Sequence, residues 1–273
     1  MLLLAVVAVC GVSMACYPSQ SGGSADSKEV SVNRSVKYFS KVEMYSTADV
    51  RFVQGKKVSV RVVGTKAQVD NLETVVSGET LQVRQKSGAS RVFNFNKNNR
   101  LTVYVTSPDL TAVSVMGSGD FGVSGNIDTD RLDVDVKGSG DVKFMGKVLC
   151  DAVSLTLMGS GDIKAKAIDS KSAVLDGRGS GDIDVESLKA NTANVVMRGS
   201  GDIDTHLYGV AETSVELFGS GGIDVHFDNC GTANCRLTGS GDIELEGTLG
   251  SLTRHKTGSG DIKTGKLSLR NVH

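Results

Sequence analysis

Gly-Ser-Gly recurs eight times in the C-terminal part of this chain, beginning at Gly117, Gly138, Gly159, Gly179, Gly199, Gly219, Gly239 and Gly258, at intervals of 19 to 21 residues. Repetition at a fixed period of this size means that one small structural unit is stacked many times, and it constrains the fold more than composition does. The next residue is Asp in seven copies (Asp120, Asp141, Asp162, Asp182, Asp202, Asp242 and Asp261) and Gly222 in the eighth. An apolar residue then follows without exception, from Phe121 and Val142 to Ile243 and Ile262. Apolar and polar residues alternate on both sides of each turn, as in Val113-Ser114-Val115 and Leu155-Thr156-Leu157, which is the period-two pattern of a strand with one buried face.

Two short strands cannot bury an apolar face alone, so successive copies must stack, each strand pairing in parallel with its copy about 4.8 Å away. The predicted fold is all-β: a right-handed single-stranded parallel β-helix, or β-solenoid, with coils of about 20 residues. Composition agrees, with 33 Gly, 2 Pro and no Trp in 273 residues. In the last copy the inward positions before Gly258 become Arg254 and Lys256, which reads as a polar cap on the open end of the stack.

The N-terminal 16 residues, MLLLAVVAVCGVSMAC, are uncharged, mostly apolar and too short to span a bilayer, as expected for a signal peptide. Ser13-Met14-Ala15-Cys16 is similar to a bacterial lipobox, which makes Cys16 the expected lipidation site and an outer-membrane lipoprotein the expected product. Cleavage near Ala15 with release of a secreted or periplasmic protein is the alternative. The predicted organisation is a signal at 1–16, a flexible linker at 17–28, irregular N-terminal β coils at 29–108, and regular repeats with their cap at 109–273.

Several motifs outside the repeat carry a family resemblance. They are Tyr38-Phe39 with Val42, Asp49-Val50 followed by Val53-Gln54-Gly55, Gly78-Glu79-Thr80-Leu81, and Ser107-Pro108-Asp109-Leu110 ahead of the Gly-Ser-Gly-Asp series. In this order, over roughly residues 37 to 265, the chain resembles the bacterial head GIN domain family, also called putative auto-transporter adhesin. The resemblance implies a β-helix similar to pectin-lyase folds, no established catalytic residues, and a role in adhesion or cell-envelope binding.

The stacked aspartates are the most conspicuous candidate for chemistry. Seven carboxylates in one column, about 5 Å apart, repel by roughly 1 kcal/mol per adjacent pair in water. Two arrangements offset this: hydrogen bonds from turn N–H groups, as in Asx turns, or a row of Ca²⁺ ions. Calcium wants six or more oxygens and one Asp per coil supplies them poorly, so the column reads as a structural turn ladder and no cofactor is expected. The turn serines number eight and are equivalent, whereas a nucleophile needs one special place with a base beside it.

A second acidic column comprises Asp184, Asp204, Asp224 and Glu244, with Glu186, His206, His226 and Glu246 beside it. His206, His226, Asp204 and Asp224 form the best local constellation for a transition metal; a solvated face with alternating charges is the competing reading. Arg178 and Arg198 lie across the turn from Asp184 and Asp204, the kind of basic residue a polysaccharide lyase would need. Cys235 falls in an apolar column as a buried thiol, Cys150 and Cys230 are four coils apart, and the spacing leaves open a Cys230–Cys235 disulfide. With 30 basic and 31 acidic residues intermixed, nothing points to nucleic acid.

These features together predict a non-catalytic cell-envelope protein, an adhesin binding a surface glycan or protein through repeated side-chain ladders. The alternatives are a polysaccharide lyase or hydrolase on a pectin-lyase-type β-helix, and a structural or stress-related envelope scaffold.

Overall fold

A computed structural model describes residues 28–87 and 100–270. The signal segment with Cys16 and linker residues 17–27 lie outside the described residues. The described chain is an all-β solenoid of stacked coils with one short helix, Lys66–Asn71. That helix starts at a capping box in which Thr65 and Gln68 exchange side chain–backbone hydrogen bonds.

From residue 112 onward the coils stack in chain order, copy on copy. Strands Ala112–Val115, Arg131–Val136, Ala152–Leu157, Ser172–Gly177, Thr192–Met197 and Glu212–Gly219 pair in parallel as one sheet. Strands Phe121–Val123, Val142–Leu149, Ile163–Asp169, Ile183–Lys189 and Asp202–Tyr208 form the facing sheet. Both sheets continue through the long strands Gly222–Gly239 and Asp242–Gly258. Register is unbroken at the inward positions, so Phe121, Val142, Ile163, Ile183, Ile203, Ile223 and Ile243 form one fully buried column. Gly177 interrupts another column, and the Met197 sulfur of the next coil occupies the space its side chain would take, 2.4 Å from where a Cβ would stand.

The interior has one polar irregularity that makes a test. Thr205 is 6% exposed between Val185 and Val225 in its column, and its hydroxyl has no hydrogen-bond partner among the described residues. A buried hydroxyl without a partner costs about 1–3 kcal/mol in lost hydration. Thr205→Val keeps the shape and removes that cost, so urea denaturation should show a gain of about 1 kcal/mol; equal or lower stability would mean that the hydroxyl is satisfied.

Before residue 112 the stacking order departs from chain order. Strands Lys41–Met44 and Asp49–Gln54 lie directly beneath the first regular coil. Beneath them lie Thr80–Gln85 and Thr102–Ser107, which come later in the chain. Antiparallel strands then end the stack: Leu72–Ser77 against Thr80–Gln85, Ser59–Thr65 against Thr102–Ser107, and Glu29–Arg34 outermost against Ser59–Thr65. Reversing strand direction and leaving a polar, mostly exposed strand at the edge blocks further parallel addition. At the other end, Arg254 and Lys256 take the register positions above Cys235 and Leu237 and are exposed.

Candidate functional site

The turn aspartates form a ladder between coils. Each Oδ1 accepts the backbone N–H of the equivalent residue one coil on: Asp120 from Asp141 at 3.1 Å, Asp141 from Asp162 at 3.0 Å, Asp162 from Asp182 at 3.1 Å and Asp182 from Asp202 at 2.9 Å. Asp202 accepts from Gly222 at 2.6 Å and Asp242 from Asp261 at 2.8 Å. This corrects the expectation of Asx-type bonds within each turn: the donor belongs to the neighbouring coil, because the parallel stack brings it nearer than the turn's own N–H groups. Charge-assisted bonds of this kind are stronger than neutral ones and offset the repulsion along the column. Lysines supply a second offset, with Lys143, Lys164 and Lys263 at 3.0, 3.5 and 2.7 Å from Asp141, Asp162 and Asp242.

The ladder also begins one coil earlier than the repeat suggests, since Asp49 accepts the N–H of Asp120 at 3.1 Å. Its turn reads Ser46-Thr47-Ala48-Asp49 in place of Gly-Ser-Gly-Asp. The glycines explain the difference. A Cβ on Gly117 or Gly119 would stand 2.1 Å from the carbonyl oxygen of Ser46 or Ala48, so each corner glycine makes room for the corner beneath it. Residues 46–49 carry side chains at the corresponding positions. The spacing of Asp49 from the apolar Val50 and Phe52 was the legible signal.

Outward columns on the facing sheet form a groove. Asp184, Asp204, Asp224 and Glu244 stand in strict register. Beside them run Glu186, His206, His226 and Glu246, with Lys266 closing the groove at the capped end. His206 and His226 meet edge to face with ring centroids 4.2 Å apart. His206 also stacks on Tyr208 at 4.1 Å, and its Nδ1 hydrogen-bonds the Tyr208 hydroxyl at 2.9 Å. Burial, and then the charge of His226, hold His206 below the ordinary histidine range. Lys266 pairs with Glu246 at 2.5 Å and with Glu244 at 3.3 Å.

The four residues singled out for a metal, His206, His226, Asp204 and Asp224, do line one groove. Yet among the described residues no group of three or more His, Cys, Asp or Glu side chains is arranged to hold a metal ion. On a parallel sheet side chains stand side by side along a column, whereas a metal requires them to converge. The expected lyase arginines are also elsewhere. Arg178 and Arg198 both ion-pair with Asp176 at 2.6 Å and do not line the groove. Cys150, Cys230 and Cys235 are free thiols, so the Cys230–Cys235 disulfide left open by the spacing is not formed. Burial pushes the Cys235 thiol up to about 12.

Crowded carboxylates make the groove pH-sensitive. Desolvation, then the charges of Asp224, Asp184 and Asp202, push Asp204 up to about 6. Burial and then Glu244 raise Asp224 as well. An unfolded aspartate titrates near 4, so folding takes up a proton between about pH 4 and 6, and stability falls as pH rises through that window. Asp204→Asn removes the charge while keeping the shape. After allowance for solvent screening at this exposed groove, it should stabilise the chain by about 1 kcal/mol at pH 7, with the gain vanishing below about pH 4. Urea unfolding across that pH range checks this, and equal stability at pH 7 would refute it.

Parallel coils with regular outward ladders define a β-solenoid that displays repeated side chains along flat faces. The chain belongs to the family described as putative auto-transporter adhesin, head GIN domain, which matches residues 38–209 and 208–273. It is similar to the crystal structure of a putative adhesin from Bacteroides fragilis, at 25% identity and a TM-score of 0.69 over 86% of this chain and 96% of that one. A putative adhesin from Parabacteroides distasonis shares the fold at 20% identity, a TM-score of 0.79 and 87% and 97% coverage. A putative lipid binding protein from the same species shares it at 24% identity, a TM-score of 0.74 and 86% and 97% coverage. No curated protein matches the chain. The family is named for adhesion, which points to the cell surface or envelope. No helix among the described residues is long and apolar enough to cross a membrane.

Proposed function

We propose that the chain is a non-catalytic envelope adhesin, tethered to the outer membrane by a lipid on Cys16 and the linker at 17–28, that grips a surface glycan or protein along its ladder face. The observation that carries this is the register itself: outward side chains repeat coil after coil along the groove, from Lys143 and Lys164 through Asp184, Asp204 and Asp224 to Glu244. Such a face offers many weak aligned contacts, which sum to useful avidity on a surface. A catalytic site would instead require one local departure that combines a base, an acid and a substrate anchor. Screening the chain on glycan arrays and immobilised matrix proteins tests the reading. Saturable binding lost on charge reversal in the groove supports it, and uniformly negative results leave only a structural scaffold. Radioactive palmitate labelling tests the anchor, and an unlabelled product refutes it. Release of unsaturated product from polygalacturonate or alginate would overturn the non-catalytic reading.

A further inference from the structure

The groove face is divided by charge along the solenoid axis. Two hollows adjoin on it and share Asp184 and Glu186; Lys143, Lys164 and Lys166 line the basic one, and Asp204 and Asp224 continue the acidic one. The division has a mirror order about the boundary between Lys164 and Asp184, which are register partners. One step out on either side stand Lys143 and Asp204, and two steps out Gly122 and Asp224. Gly122 has no side chain, but its place is taken by the Arg51 guanidinium from the coil beneath, 2.4 Å from where a Cβ would stand. Basic groups therefore occupy the three levels of this column on one side and carboxylates the three on the other; Arg51, Lys143 and Lys164 also reach Asp49, Asp141 and Asp162 of the neighbouring turn column, at 3.9, 3.0 and 3.5 Å. Asp184, Glu186, Asp204 and Asp224 make no ion pair within the described residues, and neither does Lys166.

We propose that the partner of this face is a second copy of the chain, packed face to face with the solenoid axes antiparallel about a two-fold axis that crosses the boundary between Lys164 and Asp184. A two-fold contact presents the same patch twice, so the patch must complement itself when reversed. The column from Gly122 to Asp224 does: Lys164 meets the partner subunit's Asp184, Lys143 meets the partner subunit's Asp204, and Arg51 approaches the partner subunit's Asp224, while the turn aspartates beside it stay bonded along their own ladder. The parallel arrangement would set lysine on lysine and carboxylate on carboxylate, and is excluded by repulsion. A simple cation would answer only the acidic half, and the carboxylates do not converge on one point.

Six coil levels at about 4.8 Å, on a face about 15 Å wide, bury about 900 Å² over both partners, which belongs to weak and transient contacts. Weak pairing suits adhesion, where many tethered copies act together. Antiparallel packing also places the two Glu29–Arg34 strands at opposite ends of the pair, as contact between two opposed surfaces requires. The inference rests on the adhesin reading and names its partner.

Analytical ultracentrifugation of the purified full chain over a concentration series tests it, with Lys164→Glu/Lys166→Glu and Asp184→Lys/Glu186→Lys as paired variants. The wild type should self-associate at low salt and dissociate as salt rises. Each variant alone should associate about tenfold more weakly or worse, and an equimolar mixture of the two should recover wild-type association, because opposite charges then face each other at both positions. All four sites are outward, so the variants keep the fold, which circular dichroism verifies. A wild type that stays monomeric at low salt, or a mixture no tighter than the single variants, overturns the proposal. Beads coated with the chain separate the two readings: binding to glycan or matrix protein without bead–bead clustering preserves the adhesin and rejects the self-contact.

Discussion

Gly201→Ala is expected to abolish or nearly abolish cooperative folding of the solenoid, with a loss above about 4 kcal/mol. A Cβ at Gly201 would stand 2.1 Å from the carbonyl oxygen of Gly181 and 2.9 Å from its carbonyl carbon. Contacts under 3.0 Å are essentially never seen for real Cβ atoms, and both clashing atoms are backbone, so no side chain can rotate away. The coil beneath is packed as closely, since a Cβ on Gly181 would stand 2.0 Å from the Gly161 carbonyl oxygen. Relief therefore means separating two coils and losing the parallel hydrogen bonds between them, and nearest-neighbour coupling is what holds a solenoid together. Gly265→Ala is the control, since nothing lies within 4 Å of its would-be Cβ, and it should be near neutral. Thermal and urea unfolding of the pair would measure the contrast. A Gly201→Ala chain as stable as wild type would show that the corners can spread.

Phe227→Ala should cost about 4–5 kcal/mol, the upper end for truncating a buried aromatic. Phe227 is 0% exposed and is among the largest fully buried side chains. Its register partners are Leu207 on one side and Gly247 on the other. Gly247 brings no side chain to refill the space, and its φ of +89° with a Cβ position 2.0 Å from the Phe227 carbonyl oxygen bars a larger residue there. The cavity thus stays open, and residual cavity volume sets the cost. The midpoint of urea denaturation should fall accordingly, and a loss below about 2 kcal/mol would mean that the coil collapses around the gap.

Much of the fold was legible because its information is local. Apolar residues two apart and a corner every 20 or so residues suffice to assign strands, faces and stacking, and the buried columns follow that alternation from Val113 to Leu245. The groove was half legible. Its acidic and histidine columns could be written down by counting from the turn aspartates. The same count gives Lys143, Lys164 and Lys263 in that column, so the basic half is legible in the sequence as well. Spacing places His206, His226, Asp204 and Asp224 on one face without showing whether their side chains converge.

The sequence by itself determined the coil, its two strands, the inward columns and the polar end at Arg254 and Lys256, because each depends on residues a few positions apart. Only the tertiary structure decided that Thr80–Gln85 lies beneath Lys41–Met44, and that Asp49 receives the N–H of Asp120, 71 residues away. It alone decided that Arg178 and Arg198 turn to Asp176. Each of these depends on which strand lies in the next layer, about 4.8 Å away, and a local pattern does not name its neighbour. The opening Gly-Ser-Gly series gained its reason in the same way, since at Gly117 and Gly119 a Cβ would stand 2.1 Å from a carbonyl oxygen of the corner beneath.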